Sequence, residues 1–188
     1  MNAEYYPWGG EFTTCDPKSC VAVVLLNVNY NPSDKVAIYG PLKTENIGIE
    51  KIVANVISNP NIRYLVICGE EIRGHRSGGS LLCLNKDGLD KTNRIIDAPG
   101  AIPYIENLDC EAIERFQKQI ETIDLIGITD KNKIDEKIKN CLEKPLPCFG
   151  ESYIAIRIAT EAAKLDDKRA LHSNIVIDYL GKVKKRGE

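Results

Sequence analysis

Only two histidines occur in this chain, and one of them, His75, stands where a side chain could do chemistry. It lies in Tyr64–Ser80, YLVICGEEIRGHRSGGS, an apolar β-branched run that stops at Gly69 and opens into a polar, glycine-rich loop. Gly74 and Arg76 flank the histidine, so backbone there can come close to a flat or charged ligand. An imidazole in such a loop can act as a general base, as a metal ligand or as a side chain satisfied by water, and the residue types alone leave all three open. Other chemistries fit the loop less well. Gly69 and Gly74 have the spacing of a phosphate-cradling loop, but His75 and Arg76 follow where Lys and a hydroxyl are needed. A dinucleotide fingerprint is nearer, because a strand precedes the glycines and Asp97 closes the next strand-like run, where an acid could bind a ribose. Gly69–Gly78 is nevertheless too long for the tight turn of that fingerprint. Ser77 and Ser80 lie beside His75 without the Gly-x-Ser-x-Gly elbow of a hydrolase.

The elements that must position His75 can be read from the apolar pattern. Val21–Asn27 is a continuous apolar run of the buried-strand type, and Val36–Tyr39 is a second short strand ended by Gly40-Pro41. Ile49, Ile52, Val53, Val56 and Ile57 recur at helical spacing until Asn59-Pro60, which predicts a helix from about Gly48 to Ser58. Arg63–Cys68 is the next strand, so the helix makes a βαβ crossover between parallel strands. A short helix over Ser80–Leu84 and a strand over Arg94–Asp97 are expected next. Asp109 then caps a helix over Glu111–Glu121, followed by a strand at Ile123–Ile128 and a helix at Lys133–Leu142. Strands alternating with helices make an α/β fold, a mostly parallel sheet with helices on both faces. Its carboxyl-end loops, Gly40–Asn46, Gly69–Gly79, Ala98–Asn107 and Thr129–Lys131, then open on one edge. Met1–Lys18 reads as an arm laid over the domain. Residues 1–144 are expected to form one domain, with 145–188 a linker and a small β-containing appendage around a helix near Ala159–Leu165.

Composition narrows the classes. The 188 residues carry a formal charge of −2, so no basic face invites nucleic acid or an anionic membrane. No apolar run approaches the roughly 18 residues of a bilayer span, and the expected setting is cytoplasmic and soluble. Seven scattered cysteines, an odd number, suit reduced thiols. Cys15 and Cys20 have no second ligand pair to complete a zinc site, and Cys68 and Cys83 read as core.

Two longer patterns favour the metal-ligand reading of His75. In base-off corrinoid carriers a loop histidine stands below cobalt within Asp-x-His-x-x-Gly. Here His75 to Gly78 supplies the second half, and Arg73 occupies the position of the Asp. The other imidazole nitrogen then needs an acceptor, for which Glu70 or Glu71 is nearest in sequence. Moreover, GPLKTENIGIEKIVANVISNPNIRYLVICGEEIRGHRSGGS (Gly40–Ser80) and APGAIPYIENLDCEAIERFQKQIE (Ala98–Glu121) closely resemble the A subunit of tetrahydromethanopterin S-methyltransferase of methanogenic archaea, over roughly Cys20–Leu142.

The resemblance implies a Rossmann-like domain that binds a cobamide, with His75 as lower axial ligand of the cobalt. It implies methyl transfer from methyl-tetrahydromethanopterin to coenzyme M, performed with partner subunits of a sodium-exporting membrane complex, the isolated chain being a carrier without turnover of its own. On that reading the loops Gly40–Asn46, Gly69–Ser80 and Ala98–Tyr104 hold the macrocycle, through Thr44, Glu45, Asn46, Gly69, Gly74, Ser77, Gly78, Ser80, Ala98, Gly100, Ile102 and Tyr104; for Glu45, Asn46, Ser77 and Tyr104 a capping or packing role is equally open. The family's usual subunit ends in a transmembrane helix, whereas this chain runs into the charged Tyr153–Glu188 segment, as a soluble homologue would. Arg73, Arg76 and Pro99 also depart from the family's pattern. Two other functions stay in view: a corrinoid escort or store without methyl transfer, and a nucleotide-binding α/β enzyme using Asp97.

Overall fold

Continuous apolar runs flanked by turn residues become the central strands, as burial on both faces of a parallel sheet requires. In the computed structural model, which describes residues 5–155, 175–177 and 183–185, the strands are β1 (Thr13–Thr14), β2 (Val21–Leu25), β3 (Ile38–Pro41), β4 (Tyr64–Gly69) and β5 (Glu121–Ile126). They form one sheet in the order β1-β3-β2-β4-β5. β2 pairs in parallel with β3 and β4, β4 pairs in parallel with β5, and only β1 runs antiparallel, along β3. The chain falls into two compact units, Met1–Arg157 and Ile158–Glu188. The second contains an antiparallel pair, β6 (Ile175–Ile177) with β7 (Val183–Lys185). The helix expected near Ala159–Leu165 lies outside the described residues.

Alternate residues of the strands feed two cores. Ala22, Val24, Leu65 and Ile67 face α1 (Ile47–Ser58), α2 (Ser77–Asp87) and α3 (Cys110–Gln119), whose Ile49, Val53, Leu81, Leu84, Ile113 and Phe116 cover them. Val21, Val23, Val66 and Cys68 face α4 (Lys131–Glu143) through Ile134, Ile138 and Cys141. Each such Ile or Phe contributes about 1.5–3 kcal/mol. This is the α/β, Rossmann-like arrangement that the alternation predicts. The amino-terminal arm is docked: β1 extends the sheet, and Asn55 exchanges two hydrogen bonds with the backbone of Trp8.

Two expectations need correction. The helix after the histidine loop is not a short Ser80–Leu84 turn; it starts at Ser77 and runs eleven residues. Glycines are poor helix formers, but the Glu71 carboxylate accepts the amides of Gly78 and Gly79 at 3.2 and 2.6 Å, satisfying two of the orphan donors of the first turn. A Cβ on Gly78 would come within 2.7 Å of Leu26 and one on Gly79 within 2.9 Å of Pro99, so the missing side chains let α2 lie flat. Arg94–Asp97 is not a strand of the sheet. Its pairing is limited to the isolated bridges Leu89–Ile95 and Arg94–Tyr104, and Asn93 and Asp97 turn the chain through left-handed conformations at φ 62° and 55°. The ribose-binding acid expected at the end of a sheet strand therefore has no strand to end.

Candidate functional site

Strand order fixes which loops meet. β3 and β4 flank β2, and the loops leaving their carboxyl ends, Leu42–Asn46 and Glu70–Arg76, reach the same rim. There Glu45 and His75, thirty residues apart in sequence, come together: His75 Nδ1 lies 2.8 Å from Glu45 Oε2. The Glu45 side chain is 3% exposed and the His75 side chain 49%, so the carboxylate is the buried support and the ring the exposed group. The other Glu45 oxygen, Oε1, accepts the Ile102 amide at 2.9 Å. Burial pushes the Glu45 carboxyl upward. The amides of Ile102 and of Glu45 itself, with the bond and charge of His75, outweigh burial and hold it below the ordinary carboxylate range. An ionised Glu45 only accepts, so Nδ1 carries a proton, and in the neutral ring that tautomer leaves the lone pair on Nε2. The expected partners Glu70 and Glu71 are displaced from that role: Glu71 caps α2, and the Glu70 backbone pairs with Asn27.

The third loop, Ala98–Asn107, closes over this pair. Gly100 is where it touches: a Cβ there would lie 2.7 Å from Glu45 Cγ, 2.7 Å from the His75 carbonyl oxygen and 2.8 Å from Ser80 Oγ. Ser80 Oγ donates to the Arg76 carbonyl and accepts the Gly100 amide, tying the histidine loop, α2 and the third loop together. Further along, buried Glu50 accepts the amides of Glu106 and Asn107 and the Asn107 side chain. Arg76 adopts the left-handed conformation at φ 44° as the residue before α2.

The structure thus unites His75, Glu45, Ser80, Gly100 and Ile102 in one hydrogen-bonded group. Gly78 stands in the first turn of α2 behind them, and Ser77 is buried with its hydroxyl 3.5 Å from the Leu42 carbonyl. Thr44 and Asn46 accept the amides of Gly48 and Ile47 and so cap α1. Ala98 is core, Gly69 turns the chain at φ +100° beneath Val28, and Gly74 lies in open space at φ +88°. Ile102 and Tyr104, with Ile47, are exposed large apolar side chains and line one groove with Asn46, Glu50, Glu106 and Asn107. A more enclosed apolar cleft lies under the arm, between β3 and α1; none of the residues around His75 lines it. Glu50 was not visible from sequence, because an acid in the first turn of a helix ordinarily reads as solvated charge.

Among the described residues no three His, Cys, Asp or Glu side chains gather as they would around a bare ion. The group instead offers one half-exposed imidazole with a buried carboxylate behind it, and the exposed apolar side chain of Ile102, whose amide the same carboxylate holds. Such a set fits a metal that arrives within its own flat macrocycle and needs one further ligand.

Residues 2–166 match the family described as the A subunit of tetrahydromethanopterin S-methyltransferase. The chain is 44% identical over 162 residues to the protein of that name from Methanohalophilus mahii, covering 84% of this chain and 67% of the relative. It is 48% identical over 153 residues to the A 1 subunit from Methanothermobacter thermautotrophicus, covering 79% and 64%. To the A 2 subunit from Methanobrevibacter ruminantium it is 45% identical over 164 residues, 85% of each chain. The chain therefore spans about two-thirds of the length of the first two relatives and more of the third. Among the described residues no helix is long and apolar enough to cross a membrane.

Proposed function

The chain belongs to the family of tetrahydromethanopterin S-methyltransferase A subunits, and from that premise we propose that it is a cobamide-binding methyl carrier in which His75 is the protein ligand to cobalt. The observation that carries this is the Glu45–His75 pair. By accepting the Nδ1–H hydrogen bond, the buried carboxylate fixes the ring's tautomer and orientation and raises the basicity of Nε2, which is what a metal-ligating histidine requires of its partner. When bound, the cobamide supplies a metal centre able to take up and release a methyl group. The chain's residues hold and orient it. His75 provides the ligand, Gly100 and Ser80 fix the loop that carries it, and Ile102 and Tyr104 offer apolar surface to the macrocycle. Ser77, Gly78, Thr44, Asn46, Gly69, Gly74 and Ala98 shape the surrounding loops.

The methyl donor and acceptor of this reading are methyl-tetrahydromethanopterin and coenzyme M, with the transfers made by partner subunits in the cytoplasm. The site lies within Met1–Arg157. A corrinoid escort would use the same bond to His75 and differ only in lacking methyl transfer.

The test is a titration with hydroxocobalamin followed by visible absorption. The full chain should give the spectrum of imidazole-ligated cobalt. His75→Ala should lose that spectrum and bind at least about tenfold more weakly, as expected when one metal ligand is removed, with circular dichroism unchanged. No binding by the full chain would end the carrier reading. An unaltered spectrum in His75→Ala would move the ligand elsewhere. If binding is as expected, failure to acquire a methyl group from methyl-tetrahydromethanopterin in the presence of partner subunits would leave the escort.

A further inference from the structure

A well-packed interior leaves few voids larger than a water molecule, yet one of about 90 Å³ lies between β3 and α1, beneath the amino-terminal arm. Ala22, Val24, Val56 and Leu65, all buried, form its floor and wall, and Ile52 is half-buried at its mouth. The arm is the roof, and it is firmly tied. Asn55 holds both backbone groups of Trp8, Ser58 accepts the Tyr6 amide, and β1 pairs with β3. Gly40 lets the roof press close: a Cβ there would lie 2.5 Å from the Glu11 carbonyl oxygen and 2.9 Å from Phe12 Cβ. Between these anchors the roof consists of Gly9, Gly10 and Glu11, two residues without a side chain and a third whose carboxylate pairs with Lys43 at 2.7 Å. That span has no apolar side chain to fill the space below it.

We propose that this cavity is a binding site for the chain of a short aliphatic carboxylic acid, with Lys51 as the partner of its carboxylate. Apolar walls make water a poor occupant and hydrocarbon a good one. The size selects among hydrocarbons: a cavity of roughly 150 Å³ takes a benzene ring, and this one is smaller, so a slim chain fits where a ring does not. The head group is selected by charge. Lys51 lines the cleft half-exposed, its Cδ 3.9 Å from where a Cβ on Gly10 would stand. Among the described residues no carboxylate lies within ion-pair distance of its ammonium, and Glu11, the one acid lining the cleft, is engaged by Lys43. A chain whose methyl end reaches Leu65 leaves its carboxylate beside that ammonium. None of the residues around His75 takes part, so the site stands whether or not the chain binds a cobamide.

Methyl NMR of the full chain, titrated with straight-chain carboxylates, tests this. Hexanoate should give saturable shifts at the methyl groups of Val24, Val56 and Leu65, and from acetate through butanoate to hexanoate each buried methylene should tighten binding about fourfold. Decanoate should gain little over hexanoate, because the cavity is full; an affinity that keeps rising with chain length would mean adsorption on the surface and overturn the site. Benzoate should leave these methyl groups unmoved, and shifts equal to those with hexanoate would overturn the selection of a chain. Lys51→Met should weaken hexanoate about fivefold, the upper end for an exposed ion pair, and leave hexanol unchanged. Equal loss for both, or none for either, would take the carboxylate away from Lys51. Ile52→Trp, which plugs the mouth, should abolish the shifts; should that variant not fold, the chain-length series decides by itself. No saturable shift with hexanoate in the unaltered chain ends the proposal.

Discussion

The two rims of the sheet are held by opposite chemistry. At the rim where strands end and helices begin, buried or half-buried carboxylates collect backbone N–H groups: Glu45 takes Ile102, Glu50 takes Glu106 and Asn107, and Glu71 takes Gly78 and Gly79. At the other rim, side-chain donors collect carbonyls. Gln119 Nε2 lies within 3.3 Å of the carbonyls of Val56, Asn59 and Ile62, Asn59 Nδ2 reaches Pro17, and Arg63 and Arg115 reach Pro147 and Glu151. Both guanidinium groups also stack on Phe149. Part of this follows because helices leave orphan N–H groups at their starts and orphan carbonyls at their ends: Gly78 and Gly79 open α2 and Val56 lies in the last turn of α1, while the other amides and carbonyls named here belong to the loops and turns beside those ends. What differs is what each rim can do. A carboxylate can exchange partners and bias a neighbouring imidazole, whereas an amide can only hold.

Breaking the holding rim should therefore cost stability without touching the chemistry. Gln119 is 1% exposed, and Gln119→Leu leaves the carbonyls of the α1–β4 turn without their shared donor, together with the Arg115 guanidinium that Gln119 Oε1 accepts. We expect a loss of about 3 kcal/mol in urea unfolding, with the cobamide spectrum of the folded protein unchanged. A variant that unfolds normally but no longer binds cobamide would show that the rims are not separable in this way.

A second measurement probes the core between the rims. Burial against α4 pushes the Cys68 thiol up from 9.0 to about 12. The unfolded chain ionises at the ordinary value, so in that window it releases a proton that the native state keeps. The stabilisation is whole below the lower value and is lost as pH rises toward the upper. Between about pH 8 and about pH 10 the native state should lose about 1 kcal/mol on this account. Cys68→Ala, less stable at both pH values, should show a shallower fall by that amount. Equal slopes would place the alkaline sensitivity in other buried groups such as Tyr64 and Cys141, whose ionisations burial also pushes up.

How far sequence reaches follows the same division. β2 and β4 were legible because a strand buried on both faces must be continuously apolar, and α3 because Asp109 caps a stretch with Ile113 and Phe116 on one face. The start of α2 was not, since Gly78 and Gly79 read as loop until Glu71 is seen to cap them. Arg94–Asp97 misled because Ile95 is fully buried, as in a strand, while its amide goes to Pro103 rather than to a sheet neighbour. His75 stood out by its type and its glycines. Its partner was sought in Glu70 and Glu71, the nearest acids in sequence; it is Glu45, because sheet order, which no local pattern encodes, decides which loops touch.

The smallest effect concerns strain at the rim that carries His75. Arg76 sits at φ 44°, ψ 45°, a left-handed conformation that costs a residue with a Cβ roughly 1–2 kcal/mol. Glycine adopts it freely but gives up roughly 0.5–1 kcal/mol of unfolded-chain entropy. Arg76→Gly should therefore stabilise the chain by about 0.5 kcal/mol, although it removes a charge beside the site. The backbone bonds at this residue, its amide to Ile72 and its carbonyl to Ser80, survive the change. With the constraint relaxed, His75 is less firmly preset, and hydroxocobalamin should bind somewhat more weakly to the more stable protein. Strain kept at a site because it positions a ligand gives that opposition of signs. Strain that is merely tolerated would give stabilisation with unchanged binding, and a loss of stability would mean that the guanidinium is contributing more than the turn costs.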